Sequence, residues 1–132
     1  GLSQRLPNLP DWMAARSVEH IRIYKDHVRA FVKEADLYRL TDQPRRSGEG
    51  ERWAGFQYSL PDKSEHLLFV FRLPGAPAER TLRLQALEPE RTYTVTGFEG
   101  EPTRKLSGRD LMTVGLTFAD LLEEDSVLLK IA

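Results

Sequence analysis

The stretch from Trp53 to Leu73 constrains the fold more than any other part of the chain. It reads Trp-Ala-Gly-Phe-Gln-Tyr-Ser-Leu, then Pro-Asp-Lys-Ser, then Glu-His-Leu-Leu-Phe-Val-Phe-Arg-Leu. Pro61 presets a turn dihedral, and Asp62 and Ser64 can hydrogen-bond their own backbone, so the tetrapeptide reads as the turn of a hairpin. In the second run Leu67, Phe69, Phe71 and Leu73 alternate with Leu68 and Val70. A strand that is apolar on both faces needs cover on both and belongs near the centre of a sheet.

The segment before the hairpin reads as a helix. Gly1 to Leu9 forms an irregular lead; Asn8 or Asp11 can cap, and Pro10 is acceptable in a first turn. From there to about Glu34 nothing breaks a helix, and Ala14, Val18, Ile21, Val28, Phe31 and Ala35 fall close to one stripe. Tyr24 lies on the same side, and Trp12, Met13 and Ile23 widen the apolar surface. Two partners are open for so wide a face: the sheet of this chain, or a domain outside it. Ile21, Tyr24, Val28 and Phe31 are the candidate interface residues.

The remainder of the chain reads as further sheet. Ala35–Thr41 can form a first strand, and Gln43–Arg52, with Pro44, Gly48 and Gly50, an exposed mobile loop. Arg80–Leu87 alternates Leu82, Leu84 and Ala86 with polar residues, as a half-buried strand does. Thr92–Phe98 places Tyr93 and Val95 on one face, and Glu101–Leu106 reads as its short partner. Ser107 caps a short helix near residues 108–114, closed by Gly115. Leu116–Ala119 is a brief strand, and Ser126–Ala132 a last strand that suits the end of a sheet. The expected fold is mainly β: an antiparallel β-sandwich after a long amino-terminal α-helix. The division is a leading helical segment over residues 1–35 and a sandwich over 36–132.

Charge and composition exclude several functions. The chain has 132 residues, enough for one domain with a core of its own. With 19 basic and 20 acidic residues the net charge is −1, which offers no field to attract nucleic acid or anionic lipid. No run approaches the roughly 20 apolar residues of a membrane span. Cysteine is absent, which rules out thiolate metal sites, disulfides and cysteine nucleophiles, and fits a cytoplasmic location. The chain starts at Gly1 without a methionine or a signal segment, as a piece of a longer protein would.

A search for chemistry returns no catalytic residue, no metal site and no cofactor motif. His20 and His27 are two helical turns apart, roughly 10 Å, too far to share a metal. No serine sits in a nucleophile elbow, and no phosphate loop occurs. Glu123-Glu124-Asp125 lacks the ligand spacing of a calcium loop. The aspartates fall in turns or caps, with nothing to single out a catalytic pair. Trp53, Tyr58 and Tyr93 are the weak candidates for carbohydrate binding, since an aromatic face matches the apolar face of a pyranose; strand aromatics are more often core.

Several segments resemble the carboxyl-terminal end of bacterial α-galactosidases of glycoside hydrolase family 36. They are His-Ile-Arg-Ile-Tyr-Lys-Asp-His (20–27), Asp-Leu-Tyr-Arg-Leu (36–40), Trp-Ala-Gly-Phe-Gln-Tyr (53–58) and Asp-Lys-Ser-Glu-His-Leu-Leu-Phe (62–69). Leu84 to Val95 is similar to the family's Leu-x-Gly-Leu-Asp-Pro-x-x-x-Tyr-x-Val, with Ala86 in place of glycine and Glu88 in place of aspartate. Leu106 to Leu116 is similar to its Leu-Ser-Gly-x-x-Leu-Met-x-x-Gly-Leu. The resemblance runs from about His20 to the end. It brings no catalytic site, because the family's nucleophile and acid/base aspartates lie upstream in a (β/α)8 barrel. The Lys-x-Asp nucleophile motif has no match, since Lys25-Asp26 lacks the intervening residue.

The resemblance implies an accessory carboxyl-terminal sandwich with a structural and packing role. Its partner would be the (β/α)8 catalytic domain of a parent enzyme that hydrolyses terminal α-galactosides. The leading helix would be the barrel's last helix or its exit segment, and homo-oligomer contacts are a further expectation. Two other classes stand beside it: a carbohydrate-binding module, marked by exposed Trp53 and Tyr58, and a domain that dimerises through Ile21, Tyr24 and Val28.

Overall fold

The computed structural model describes residues 9–132. The irregular lead and the Asn8 cap therefore lie outside the described residues, apart from Leu9. The helix begins with Pro10 at its cap and Asp11 in its first turn, where a carboxylate favours the positive end of the helix dipole. It runs without interruption through α1 (Asp11–Ile23), a π-helical turn (Tyr24–Val28) and α2 (Arg29–Glu34). Eight strands come after it: β1 (Asp36–Arg39), β2 (Trp53–Ser59), β3 (His66–Arg72), β4 (Arg80–Leu82), β5 (Thr92–Gly97), β6 (Arg104–Ser107), β7 (Leu116–Phe118) and β8 (Ser126–Ile131). A short helix α3 (Gly108–Thr113) lies between β6 and β7.

The fold is mainly antiparallel β, as expected, with six strands in the order β1-β2-β3-β8-β5-β6 and a second sheet of β4 and β7. The hairpin forms with Trp53 opposite Arg72 and Ser59 opposite His66. Strand β3 is central, and Leu67, Leu68 and Val70 are fully buried. Removing each such side chain from water stabilises the fold by roughly 1.5–3 kcal/mol. The last strand corrects an expectation. Rather than ending the sheet, β8 sits in its middle, pairing β3 on one side and β5 on the other. Its Leu129 and Ile131 are buried in the main core.

The two faces of the large sheet have different cover. Trp53, Leu68, Val70, Tyr93, Val95, Leu129 and Ile131 form the main core with Leu82, Leu84, Leu87, Leu111 and Leu116 from the small sheet, α3 and their connections. Leu67 on the other face packs with Val28 and Phe31 of the helix.

The strand expected over Arg80–Leu87 stops at Leu82. Leu84 and Leu87 are still buried, but Ala86 has φ +57°, which turns the chain out of the extended path. Ala86 occupies the position where the similar family pattern has glycine, the residue that adopts this conformation at least cost. The 107–116 pattern has an equally direct basis. The Ser107 hydroxyl accepts a hydrogen bond from the Asp110 N–H at 3.0 Å and caps α3. Leu111 is fully buried. A Cβ at Gly108 would come within 2.1 Å of the Glu88 carbonyl oxygen, and Gly115 has φ +86° with a Cβ position 2.4 Å from the Leu82 carbonyl oxygen. The loop before β2 is exposed through Gly50, but Glu51 pairs with Arg80 and accepts the Trp53 N–H.

Backbone conformation at these positions should be visible in stability. Ala86→Gly is expected to raise it by about 0.5–1 kcal/mol, and Gly115→Ala to lower it by about 2–3 kcal/mol. Denaturant midpoints of the two variants against the unchanged chain measure both.

Candidate interaction face

The face of the large sheet that carries the helix is built from alternate residues. Register places Leu37 beside Tyr58, Phe56 beside Phe69, Ala54 beside Phe71, and Leu128 beside Phe69. Phe56 and Phe71 meet edge-on with centroids 6.3 Å apart, as do Tyr58 and Phe69 at 5.9 Å. The helix covers one part of this aromatic plate. Tyr58, Leu60, Phe69, Phe98 and Leu128 are half-buried around Val28, Phe31 and Leu67. Beyond it Phe71 and Leu37 are left exposed. A groove of about 310 Å³, lined by Ile23, Tyr24, Phe69, Phe71, Phe98 and Leu128 among others, separates the helix from this part of the sheet.

The helix itself explains the incomplete cover. In a regular α-helix Ala14, Val18, Ile21, Val28 and Phe31 would share one face. The Arg29 N–H instead bonds the Tyr24 carbonyl, five residues back. A π turn inserts one residue into the α repeat, so the part of the helix after it is rotated by about 100° relative to the part before. The interface candidates are divided accordingly. Val28 and Phe31 are 7% and 4% exposed and belong to the sheet, whereas no residue of α1 is buried. Ile21 is half-buried and Tyr24 exposed. Trp12 and Val18 are each 67% exposed. Isolated exposed apolar residues such as Trp12 and Val18 are ordinary; Tyr24 and Phe71, which line the same groove, are the candidate contact surface.

The three aromatic residues considered for carbohydrate are not a platform. Trp53 is fully buried; its indole N–H donates to the Pro77 carbonyl at 3.1 Å, and the Arg72 guanidinium lies over its ring. Tyr93 is fully buried as well, donating to the Lys63 carbonyl and accepting the Glu88 N–H. Tyr58 is half-buried and packs edge-on against Phe69. Stacking on a pyranose requires an open ring face, which Trp53 and Tyr93 lack. The structure does not bring the three together on one surface, because Trp53 and Tyr93 face the main core and Tyr58 the helix.

Sequence patterns gave no notice of a buried polar cluster. Gln57, Ser59 and His66 point into the main sheet interface with 0%, 3% and 0% exposure. The Gln57 amide accepts the Gln85 N–H at 2.9 Å and donates to the Gln85 carbonyl at 2.7 Å, as a strand backbone would. It also donates to the Ser59 hydroxyl, which meets His66 Nδ1 at 2.8 Å. A polar residue at the inward register of an otherwise apolar hairpin was the available signal. A serine beside a histidine suggests a nucleophile and its base, but both are sealed from substrate. The cluster fixes the Gln85–Ala86 connection over the sheet.

An antiparallel domain of two sheets backed by a helix is the class of structure in hand. Comparison gives the family. Residues 53–130 match the glycosyl hydrolase family 36 C-terminal domain, and the chain belongs to that family. α-Galactosidase C of Emericella nidulans is 35% identical over 95 residues, covering 70% of this chain and 11% of its own length. The family 36 α-galactosidase AgaA of Geobacillus stearothermophilus, solved with raffinose, superposes with a TM-score of 0.75 at 25% identity, covering 95% of this chain and 16% of that one. The Lactobacillus brevis α-galactosidase matches in fold with a TM-score of 0.75 at 18% identity, over 97% of this chain and 17% of its own. The chain therefore spans only a small part of each relative.

Burial holds the His66 imidazole below its ordinary pKa of 6.5, and its Nε2 has no hydrogen-bond partner. The unfolded chain takes up this proton near the ordinary value and the folded chain only at lower pH. The contribution of neutral His66 is therefore complete above about pH 6.5 and declines as pH falls below it, by up to about 1.4 kcal/mol per pH unit. Denaturant unfolding at pH 7.5 and 5.5 measures this. His66→Gln should be less stable at the higher pH and show a smaller loss between the two.

Proposed function

We propose that this chain is the accessory carboxyl-terminal sandwich of an α-galactosidase-type glycosidase, acting by packing on a (β/α)8 catalytic domain. One observation carries the reading. The helix has two apolar faces, and this domain fully buries only the one bearing Val28 and Phe31. The stripe through half-buried Ala14, exposed Val18 and half-buried Ile21 is then the surface that meets the barrel, and the helix joins the two bodies. The relatives' length outside the matched region, more than four-fifths of each, supplies the chain for such a partner. Catalysis and recognition of a terminal α-galactoside would lie in that partner. The lack of cysteine agrees with a cytoplasmic enzyme.

An α-galactoside reporter assay on this chain, run beside calorimetric titrations with galactose and raffinose, tests the reading. Neither turnover nor binding is expected. Removing the segment matching residues 36–132 from a family 36 α-galactosidase is expected to lower the temperature at which the remaining enzyme loses activity. Binding without turnover would favour a carbohydrate-binding module. Turnover, or a truncated enzyme of undiminished thermal stability, would contradict the packing role.

A further inference from the structure

Ala86 carries a left-handed φ of +57°, a strained conformation for alanine. The residue before it is gripped by a side chain, since Gln57 takes both the N–H and the carbonyl of Gln85. Those two bonds fix which way the Gln57 amide faces and leave its second N–H for the Ser59 hydroxyl. Ser59 then has one proton to give, and among the described residues the acceptor it meets is His66 Nδ1, at 2.8 Å. The ring is therefore the neutral tautomer with its proton on Nε2. The opposite tautomer would strand both the serine proton and the Nε2 lone pair, because Nε2 has no hydrogen-bond partner. The relay runs in this sense only while the ring is neutral. A protonated ring carries N–H on both nitrogens, which turns Ser59 from donor to acceptor and leaves its proton orphaned in a buried site. The surroundings of the ring also count. From the β2–β3 turn, Asp62 favours a charge on it and Lys63 opposes one, although the Lys63 carbonyl attracts a ring N–H. Arg91, which lies over the Tyr93 ring, opposes a charge as well. Strand β5 offers the Tyr93 ring edge-on at 5.4 Å, and β8 places Ile131 opposite in register.

We propose that Gln57, Ser59 and His66 form an acid-released clasp on the strained Gln85–Ala86 connection. Above about pH 6.5 the neutral ring anchors Ser59, Ser59 anchors Gln57, and Gln57 holds Gln85 against the strain at Ala86. Protonation reverses the Ser59–His66 hydrogen bond, and the connection lifts from β2 while the sheets stay packed. The chain beyond it leads to Pro89 and Arg91, whose carbonyls accept the Arg109 and Gly108 N–H groups at 2.9 and 2.8 Å. The loosening therefore reaches the start of α3. The clasp belongs to this domain by itself and does not depend on the glycosidase reading.

Two measurements on the unchanged chain test the clasp, the ring-nitrogen chemical shifts of His66 and amide hydrogen exchange at pH 7.5 and 5.5. At pH 7.5 the shifts should place the proton on Nε2. The Gln85 amide should be less protected than the core amides of Leu68 and Leu129 at both pH values, as local opening requires. Its protection, corrected for the exchange rate of a free peptide, should fall by up to about tenfold between pH 7.5 and 5.5. Ser59→Ala keeps the Gln57 grip but cuts the relay, and there the fall should be less than about twofold. A proton on Nδ1 overturns the clasp. So does a Gln85 amide as protected as Leu68 and Leu129, which would mean that acid unfolds the whole domain at once. A Gln85 protection that does not change with pH, or a fall of the same size in Ser59→Ala, overturns it too.

Discussion

Strand β3 carries leucine, valine and phenylalanine on both of its faces, and both have to be kept from water. The rest of the structure answers that demand. Toward Leu68 and Val70 the small sheet and α3 close over the strand, with Trp53 and Tyr93 filling the space beside them. Toward Leu67 the helix supplies Val28 and Phe31. Strand β8 completes the arrangement by pairing along β3, and joins it to β5 so that six strands share one sheet. Where this cover ends, at Phe71, the same two-sided strand leaves apolar surface open.

The helix divides its apolar residues by a change of phase. Before the π turn the stripe is rotated by about 100° from the face that Val28 and Phe31 use after it. A helix serving two bodies needs two faces, and shifting the register by one residue provides them without a break in the backbone. An uninterrupted α-helix with the same side chains would have aimed the whole stripe at one partner. The chain belongs to the family 36 carboxyl-terminal domains and spans a small share of each relative, and the proposed packing role would use the second face.

Much of this was legible in the sequence where local chemistry decides the outcome. The Pro61–Ser64 turn, the Ser107 cap and the glycine at 115 each specify a conformation by themselves. The two-sided pattern of Leu67 to Phe71 correctly demanded a central strand. The features that escaped depend on non-local geometry. Alternation extended a strand through Ala86, because alanine carries no sign of a left-handed backbone. Alternation also identified β8 but not its neighbours, which are chosen by cross-strand register. Helical periodicity assumes a constant repeat, so it joined Ile21 to Phe31 across the π turn. Trp53 and Tyr93 looked available to sugar because residue type alone does not say which face of a strand will be buried, while Gln57 had no obvious partner until Gln85 was folded against it.

The division of the helix is the claim on which the account rests, and its energetic asymmetry can be measured by denaturant unfolding of the chain. Phe31→Ala removes a side chain that the sheet buries and should cost about 3–5 kcal/mol. Trp12→Gln combined with Val18→Gln removes two exposed residues of α1 and should change stability by no more than about 0.5 kcal/mol. If the double substitution destabilises the domain as much as Phe31→Ala does, both halves of the helix belong to this sheet and the account of a second face is wrong.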